Sequence, residues 1–140
     1  MKAFRFRLET LQRWRIQQRK EAEAEQVRAA AASARIVMKM QAIQKEIEAN
    51  AQVNDPMWVT QAQAHAARLR AELSALGSAL LDARRHEAAC RQALMLAQQA
   101  EEVVESLREA EFARWRKSVQ REEQKRLDDL PRRDPQKNFR

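Results

Sequence analysis

From Phe4 to Ala49 the chain carries no Gly or Pro, and its larger apolar residues recur at Ile36, Met40, Ile43 and Ile47, alternately four and three apart. That alternation holds a stripe on one side of a helix and points it at a second helix. Extended backwards, the same register meets Ala29, Ala22, Arg15 and Leu8, so the N-terminal half of the stripe is small or polar. A second stripe runs through Leu69, Leu73, Leu76, Leu80, Ala83, Glu87, Cys90, Leu94, Ala97 and Val104. Near Leu96 a parallel track opens through Ala100, Val103, Leu107 and Ala110, which predicts a stutter in the coiled coil. Between the two stripes lies Asn50-Ala51-Gln52-Val53-Asn54-Asp55-Pro56, where Asp55 is placed to cap a helix and Pro56 to occupy its first position.

The pattern predicts helices over 4–49 and 56–130, a turn at 50–55 and a basic tail over 131–140, all in one elongated domain spanning 1–140. A short link between long helices makes an all-α architecture, an antiparallel two-helix coiled-coil hairpin. Folding about Val53 sets Ile43 near Ala64 and Leu8 near Gln99. The second helix must then overhang the first by roughly 25 residues at ~1.5 Å each. Gly77 costs the second helix about 1 kcal/mol relative to Ala, and marks a close approach or a bend.

Composition narrows the picture. Of 140 residues, 80 are Ala, Glu, Lys, Leu or Arg, the mixture of long helices and coiled coils. A single Gly all but excludes hairpin turns and Gly-rich phosphate loops. Ala supplies 26 of the hydrophobic residues, which leaves a thin seam in place of a thick core. No apolar run is long enough to cross a membrane or to act as a secretory signal. The lone Cys90 cannot form an internal disulfide, which points to a reducing, cytoplasmic location. Charge is unevenly spread: +6 over residues 1–20, −3 over 21–107 and +4 over 108–140. An antiparallel hairpin brings the two basic ends together.

Three clusters are candidate contact sites. Phe4, Phe6, Leu8, Leu11 and Trp14 alternate with Arg5, Arg7, Arg13 and Arg15. They either seal the seam against Val103, Leu107 and Ala110 or meet a partner. Two apart, Phe4 and Phe6 cannot share a helix face. Arg114, Trp115, Arg116 and Lys117, with Lys125 and Arg126 further on, fall in the predicted overhang, where no first-helix residue faces Trp115. A Trp among Arg residues is a typical protein-binding anchor. The alternative is packing of Trp115 on Phe112 or Val119, one turn to either side. Near the turn, Val37, Met38, Met57, Trp58 and Val59 exceed what one seam position uses. They form either an adaptable contact for a partner helix or a cap on the hairpin tip.

Catalytic chemistry finds no constellation. His86 and Cys90 are spaced for one helix face, but with His65 as the only other histidine they do not complete a metal site. Glu101-Glu102 and Glu122-Glu123 diverge on a helix and read as solvated charge. Neither a cofactor nor a small-molecule substrate is expected.

Two segments resemble a known family. Phe4-Arg5-Phe6-Arg7-Leu8-Glu9-Thr10-Leu11-Gln12-Arg13-Trp14-Arg15 and Arg121-Glu122-Glu123-Gln124-Lys125-Arg126-Leu127-Asp128-Asp129-Leu130 are similar to the ends of the FliJ family of flagellar type III export proteins, relatives of the YscO-type injectisome proteins. Pro131, where relatives often continue with small or apolar residues, is a departure. The resemblance implies an antiparallel coiled coil like the stalk of rotary ATPases, without enzymatic activity. It also implies binding to the hexameric export ATPase with promotion of its ring. Contacts with the export-gate membrane protein and late-substrate chaperones follow, with peripheral association at the inner membrane. ATPase contact would then run through Phe4–Leu8, Leu11, Trp14, Arg114–Lys117, Lys125 and Arg126. Val37, Met38, Met57 and Trp58 are left for gate or chaperones. The charge pattern independently allows non-specific nucleic-acid binding, and residues 4–15 could lie on an anionic membrane.

Overall fold

The computed structural model describes residues 3–131. Two helices account for nearly all of them, α1 over Glu9–Asn50 and α2 over Val59–Asp129, with no strand among the described residues. The fold is an all-α helical hairpin. Within it the chain divides into two compact units: residues 3–16 with 99–131, and Gln17–Gln98. The basic tail beyond residue 131 lies outside the described residues.

Helix formation follows from local chemistry. No Gly or Pro interrupts α1, and charge pairs one turn apart brace the helices, Arg13–Glu9 at 3.2 Å on an exposed face and Arg91–Glu87 at 3.1 Å at the edge of the seam. The first helix starts at Glu9, about a turn and a half later than the pattern predicts. Residues 3–6 precede it without helical structure. Its entry is made by Phe6 C=O accepting from Glu9 N–H at 3.3 Å, then by Leu8 C=O accepting from Gln12 N–H at 2.9 Å. Asp55 caps the second helix: its carboxylate accepts from Met57 N–H at 3.0 Å, and its C=O accepts from Trp58 and Val59 N–H at 3.0 and 3.1 Å. The connector therefore spans residues 51–58, longer than the predicted turn at 50–55. At the far end α2 stops at Asp129, because Pro131 excludes the helical conformation for the residue before it.

In the unit Gln17–Gln98 the seam is thin. Only Ala29, Ile43, Leu69 and Cys90 are buried among its apolar residues, with Ser33 the buried polar one. Half-buried Ile36, Met40, Ile47, Leu73, Leu76, Leu80, Ala83, Leu94 and Ala97 fill the remaining predicted seam positions. Ser33 faces Glu87 across this seam without reaching hydrogen-bond geometry. The Glu87 carboxyl is held below its usual pKa, chiefly by the hydrogen bond from Arg91 and secondarily by Ser33. Glu46 and His65 meet at 3.1 Å nearer the connector.

Gly77 is half-buried within α2, and a Cβ built there would meet nothing within 4 Å. No close approach demands a glycine. Gly77→Ala is therefore expected to stabilise the protein by about 1 kcal/mol, by removing backbone freedom from the unfolded chain. A thermal melt followed by circular dichroism at 222 nm checks this; an unchanged or lowered midpoint overturns it.

In the other unit, as at Ser33 and Glu87, the register differs from the prediction. Gln12 Nε2 donates to Glu105 Oε2 at 2.6 Å, and Arg108 Nη1 donates to Gln12 Oε1 at 2.9 Å. Arg7 pairs with Glu111 at 3.6 Å. This stretch thus sits about three helical turns further along α2 than the predicted pairing of Leu8 with Gln99. The longer connector accounts for part of that shift. The facing of Ser33 and Glu87 in the unit Gln17–Gln98 shows a shift of similar size, and here the buried Gln12, 6% exposed, holds it by spending both ends of its amide on α2.

The predicted stutter does not occur. Val104 is buried, and Glu101, Glu111 and Trp115 are half-buried, continuing the four-three alternation of the first track. Val103 and Leu107 of the second track are 62% and 42% exposed, and Ala110 is exposed as well. The Gln12–Glu105–Arg108 network selects the polar track over the apolar one.

Candidate functional site: a cationic aromatic end

Residues 3–6 lie as a non-helical strap, and this changes the geometry of both phenylalanines. Outside a helix the divergence of residues two apart no longer applies, so the helical objection to a shared face disappears. Phe6 is buried. The Phe4 ring meets Phe112 edge-on, with centroids 5.1 Å apart and planes at 83°, and lies 5.8 Å from the Trp115 ring. Phe112 and Trp115, one turn apart on α2, close the triangle at 5.6 Å. The edge-on Phe4–Phe112 pair is a favoured aromatic geometry, and the other two pairs are tilted at similar centroid distances.

Trp115 was expected to have no facing first-helix residue. The strap in front of α1 supplies the facing group instead, and packing on Phe112 adds to it. A Trp115→Ala test of partner binding would therefore also remove internal packing. The neighbouring Arg116 and Lys117 are exposed and give the cleaner test.

Around the rings stands a basic rim. Ala3, Phe4, Arg5, Arg7, Glu111, Arg114 and Trp115 line an open groove. Arg5, Arg7 and Arg114 are exposed, and Glu111 is half-buried. Leu8 and Leu11 are half-buried beside α2, whereas Trp14 is 50% exposed with the Arg15 guanidinium 4.8 Å from its ring centre.

Beyond Val119 every residue of α2 is exposed, including Lys125 and Arg126. Among the described residues the stretch without a packing neighbour covers 120–129, well short of the overhang predicted from the sequence register. On it, Leu127 and Leu130 are 61% and 59% exposed.

The predicted cluster at the turn does not assemble. Met57 and Trp58 are exposed in the connector, while Val37 and Met38 lie about 18 Å down α1 from Asn50. Met38 is exposed and Val37 half-buried. No apolar cap seals the tip: Val53, Met57 and Trp58 are 38%, 79% and 53% exposed.

Sequence reasoning passed over Gln12, Glu105, Arg108 and Glu111. Their signal was present as polar or charged residues at or beside four-three seam positions, where burial forces them to pair.

His86 and Cys90 meet at 3.6 Å on one face of α2. Among the described residues no group of three or more His, Cys, Asp or Glu could hold a metal ion. No helix of the described residues is long and apolar enough to cross a membrane.

The fold and its charged, aromatic end define an all-α helical-hairpin protein. A family model described as flagellar FliJ protein matches residues 4–138, nearly the whole chain, and the chain belongs to the FliJ family. It is a flagellar export-related protein and not an enzyme. No curated protein and no solved structure matches the chain.

Proposed function

We propose that this protein is a coiled-coil stalk for the hexameric flagellar export ATPase, binding it and promoting assembly of its ring. The observation that carries this reading is the end where the unpartnered residues 120–129 follow the Phe4–Phe112–Trp115 cluster, with Arg114, Arg116, Lys117, Lys125 and Arg126 exposed around it. Exposed cations beside a helix with no neighbour favour insertion into an acidic protein cavity and speed the encounter electrostatically. In this reading Phe4 and Phe6 act from inside, by holding the strap, and Arg5 and Arg7 present their charge from it. Trp14 offers a further exposed anchor.

The exposed Met57 and Trp58 are assigned to the export-gate membrane protein or to late-substrate chaperones, with Val37 and Met38 as a separate, weaker contact further down α1. Such contacts would place the protein peripherally at the inner-membrane gate, on the cytoplasmic side.

The test is the hydrolysis rate of the cognate export ATPase, titrated with the purified full chain at ~150 mM salt, where exposed charges are screened beyond about 8 Å. Stimulation that saturates near about one chain per hexamer is expected. An unchanged rate together with unchanged ring assembly overturns the stalk reading. Tight, salt-sensitive binding to a random-sequence DNA duplex in that case would assign the basic end to nucleic acid.

A further inference from the structure

The groove between the strap and α2 has a composition of its own. Its floor is the Phe4 and Trp115 rings, and three guanidinium groups, from Arg5, Arg7 and Arg114, line it with a single carboxylate, Glu111. Glu111 is engaged by Arg7 at 3.6 Å. Among the described residues, neither Arg5 nor Arg114 has an acidic partner within ion-pair distance. Two cations are thus left without an anion, beside an aromatic surface that is concave and open.

We propose that the strap and α2 together form a binding groove for an acidic peptide segment that carries an apolar side chain between its carboxylates. Guanidinium groups bind carboxylates through paired hydrogen bonds, and the aromatic floor takes the apolar side chain. A nucleic acid is the poorer fit. Bases stack on open ring faces, whereas Phe4 and Trp115 are half-buried and pack on each other and on Phe112, and Glu109 and Glu111 on the same helix repel phosphates. The proposal rests on the reading that this end meets a protein partner, and it names the chemistry of the segment recognised. It also makes the strap part of the site. Without Phe4 seated, the groove loses a wall while every charge remains.

The experiment measures anisotropy of a fluorescein-labelled Glu-Glu-Leu-Glu-Glu peptide with the full chain at low salt. Its Gln-Gln-Leu-Gln-Gln and Glu-Glu-Gly-Glu-Glu counterparts and a single-stranded oligonucleotide of equal charge serve as comparisons. Saturable binding of the first peptide is expected, weaker by about tenfold in Arg114→Gln and in Phe4→Ala, with helicity unchanged in both. Arg68→Gln, an exposed arginine in the other unit, removes the same charge and is expected to change affinity less than about twofold.

Equal losses for Arg68→Gln and Arg114→Gln would overturn the groove, as would indifference to Phe4→Ala or to the Leu-to-Gly peptide. Tighter binding of the oligonucleotide would overturn the peptide assignment. The stalk reading fails separately. If the ATPase responds to the chain but the peptide does not bind, the groove is wrong and the stalk stands. If the peptide binds and the ATPase does not respond, the groove serves another acidic partner.

Discussion

Truncating Leu69 to alanine is expected to lower the unfolding free energy by about 3 kcal/mol, the largest loss available from a single side chain in the unit Gln17–Gln98. Ile43 and Leu69 are the only large aliphatic residues buried there, at 9% and 6% exposure, and the other buried apolar positions are Ala29 and Cys90. A thin seam has little neighbouring material to collapse into the space that Leu69 vacates. Both the transfer and the cavity contributions are therefore felt. Leu81, 58% exposed on the same helix, supplies the comparison, and Leu81→Ala is expected to change stability by under about 0.5 kcal/mol. Urea unfolding followed at 222 nm measures both variants. Because the chain divides into two compact units, the Leu69→Ala transition is also expected to broaden or split as one unit loosens before the other. Similar midpoints for Leu69→Ala and Leu81→Ala would show that the seam does not carry the stability.

Reversing Arg116, Lys117, Lys125 and Arg126 together to glutamate is expected to weaken binding to the export ATPase on the order of a hundredfold. All four are exposed, and no ion pair joins them to another described residue, so their loss leaves no buried charge behind. The effect falls mainly on the association rate and shrinks as salt is raised, because exposed charges steer encounter more than they hold the bound state. Glutamates at 125 and 126 would stand near Glu122 and Glu123, and Arg126 lies in the last turn of α2, where a cation suits the helix dipole. Some fraying of that end is expected as well. The four-fold glutamine variant separates the two effects, since it removes the charge without adding repulsion. It should keep full helicity and still lose most of the affinity. Full binding by the glutamine variant would take these residues out of the ATPase contact.

How much of the site was legible is best seen at three places. The ends of the chain stood out as Arg-rich segments with aromatic residues, because composition alone reports charge and ring content. Their joint arrangement did not. A helix over 4–8 would hold Phe4 and Phe6 on different faces; in the non-helical strap Phe6 is buried and Phe4 packs on Phe112 and Trp115. Helix propensity does not decide the residues just before a helix, where few backbone hydrogen bonds are at stake and packing of the rings outweighs them. The stutter misled for a related reason. Val103, Leu107 and Ala110 form the more apolar track, and a pattern search prefers apolar residues. The buried Gln12 amide instead needs Glu105 and Arg108, and an unpaired amide costs more than the exposure of one valine and one leucine. The Met and Trp residues near the turn were grouped by their nearness to the hairpin tip, which the rise along α1 then separates.

The sequence by itself determined the secondary structure and the hairpin: an almost Gly-free chain, four-three apolar spacing and one capped Asp-Pro interruption leave no other arrangement for two helices with one apolar stripe each. It also determined family membership, since that is carried by residue identities along nearly the whole chain. Only the tertiary structure decided the register, the strap and the shorter unpartnered end of α2. The physical reason is that an Ala-rich seam discriminates poorly between sliding positions, each burying similar small side chains. The choice then falls to a few directional contacts: Gln12 with Glu105 and Arg108, Arg7 with Glu111, and Phe4 with Phe112 and Trp115. Those pairs join residues that are distant in sequence, and no local pattern announces them.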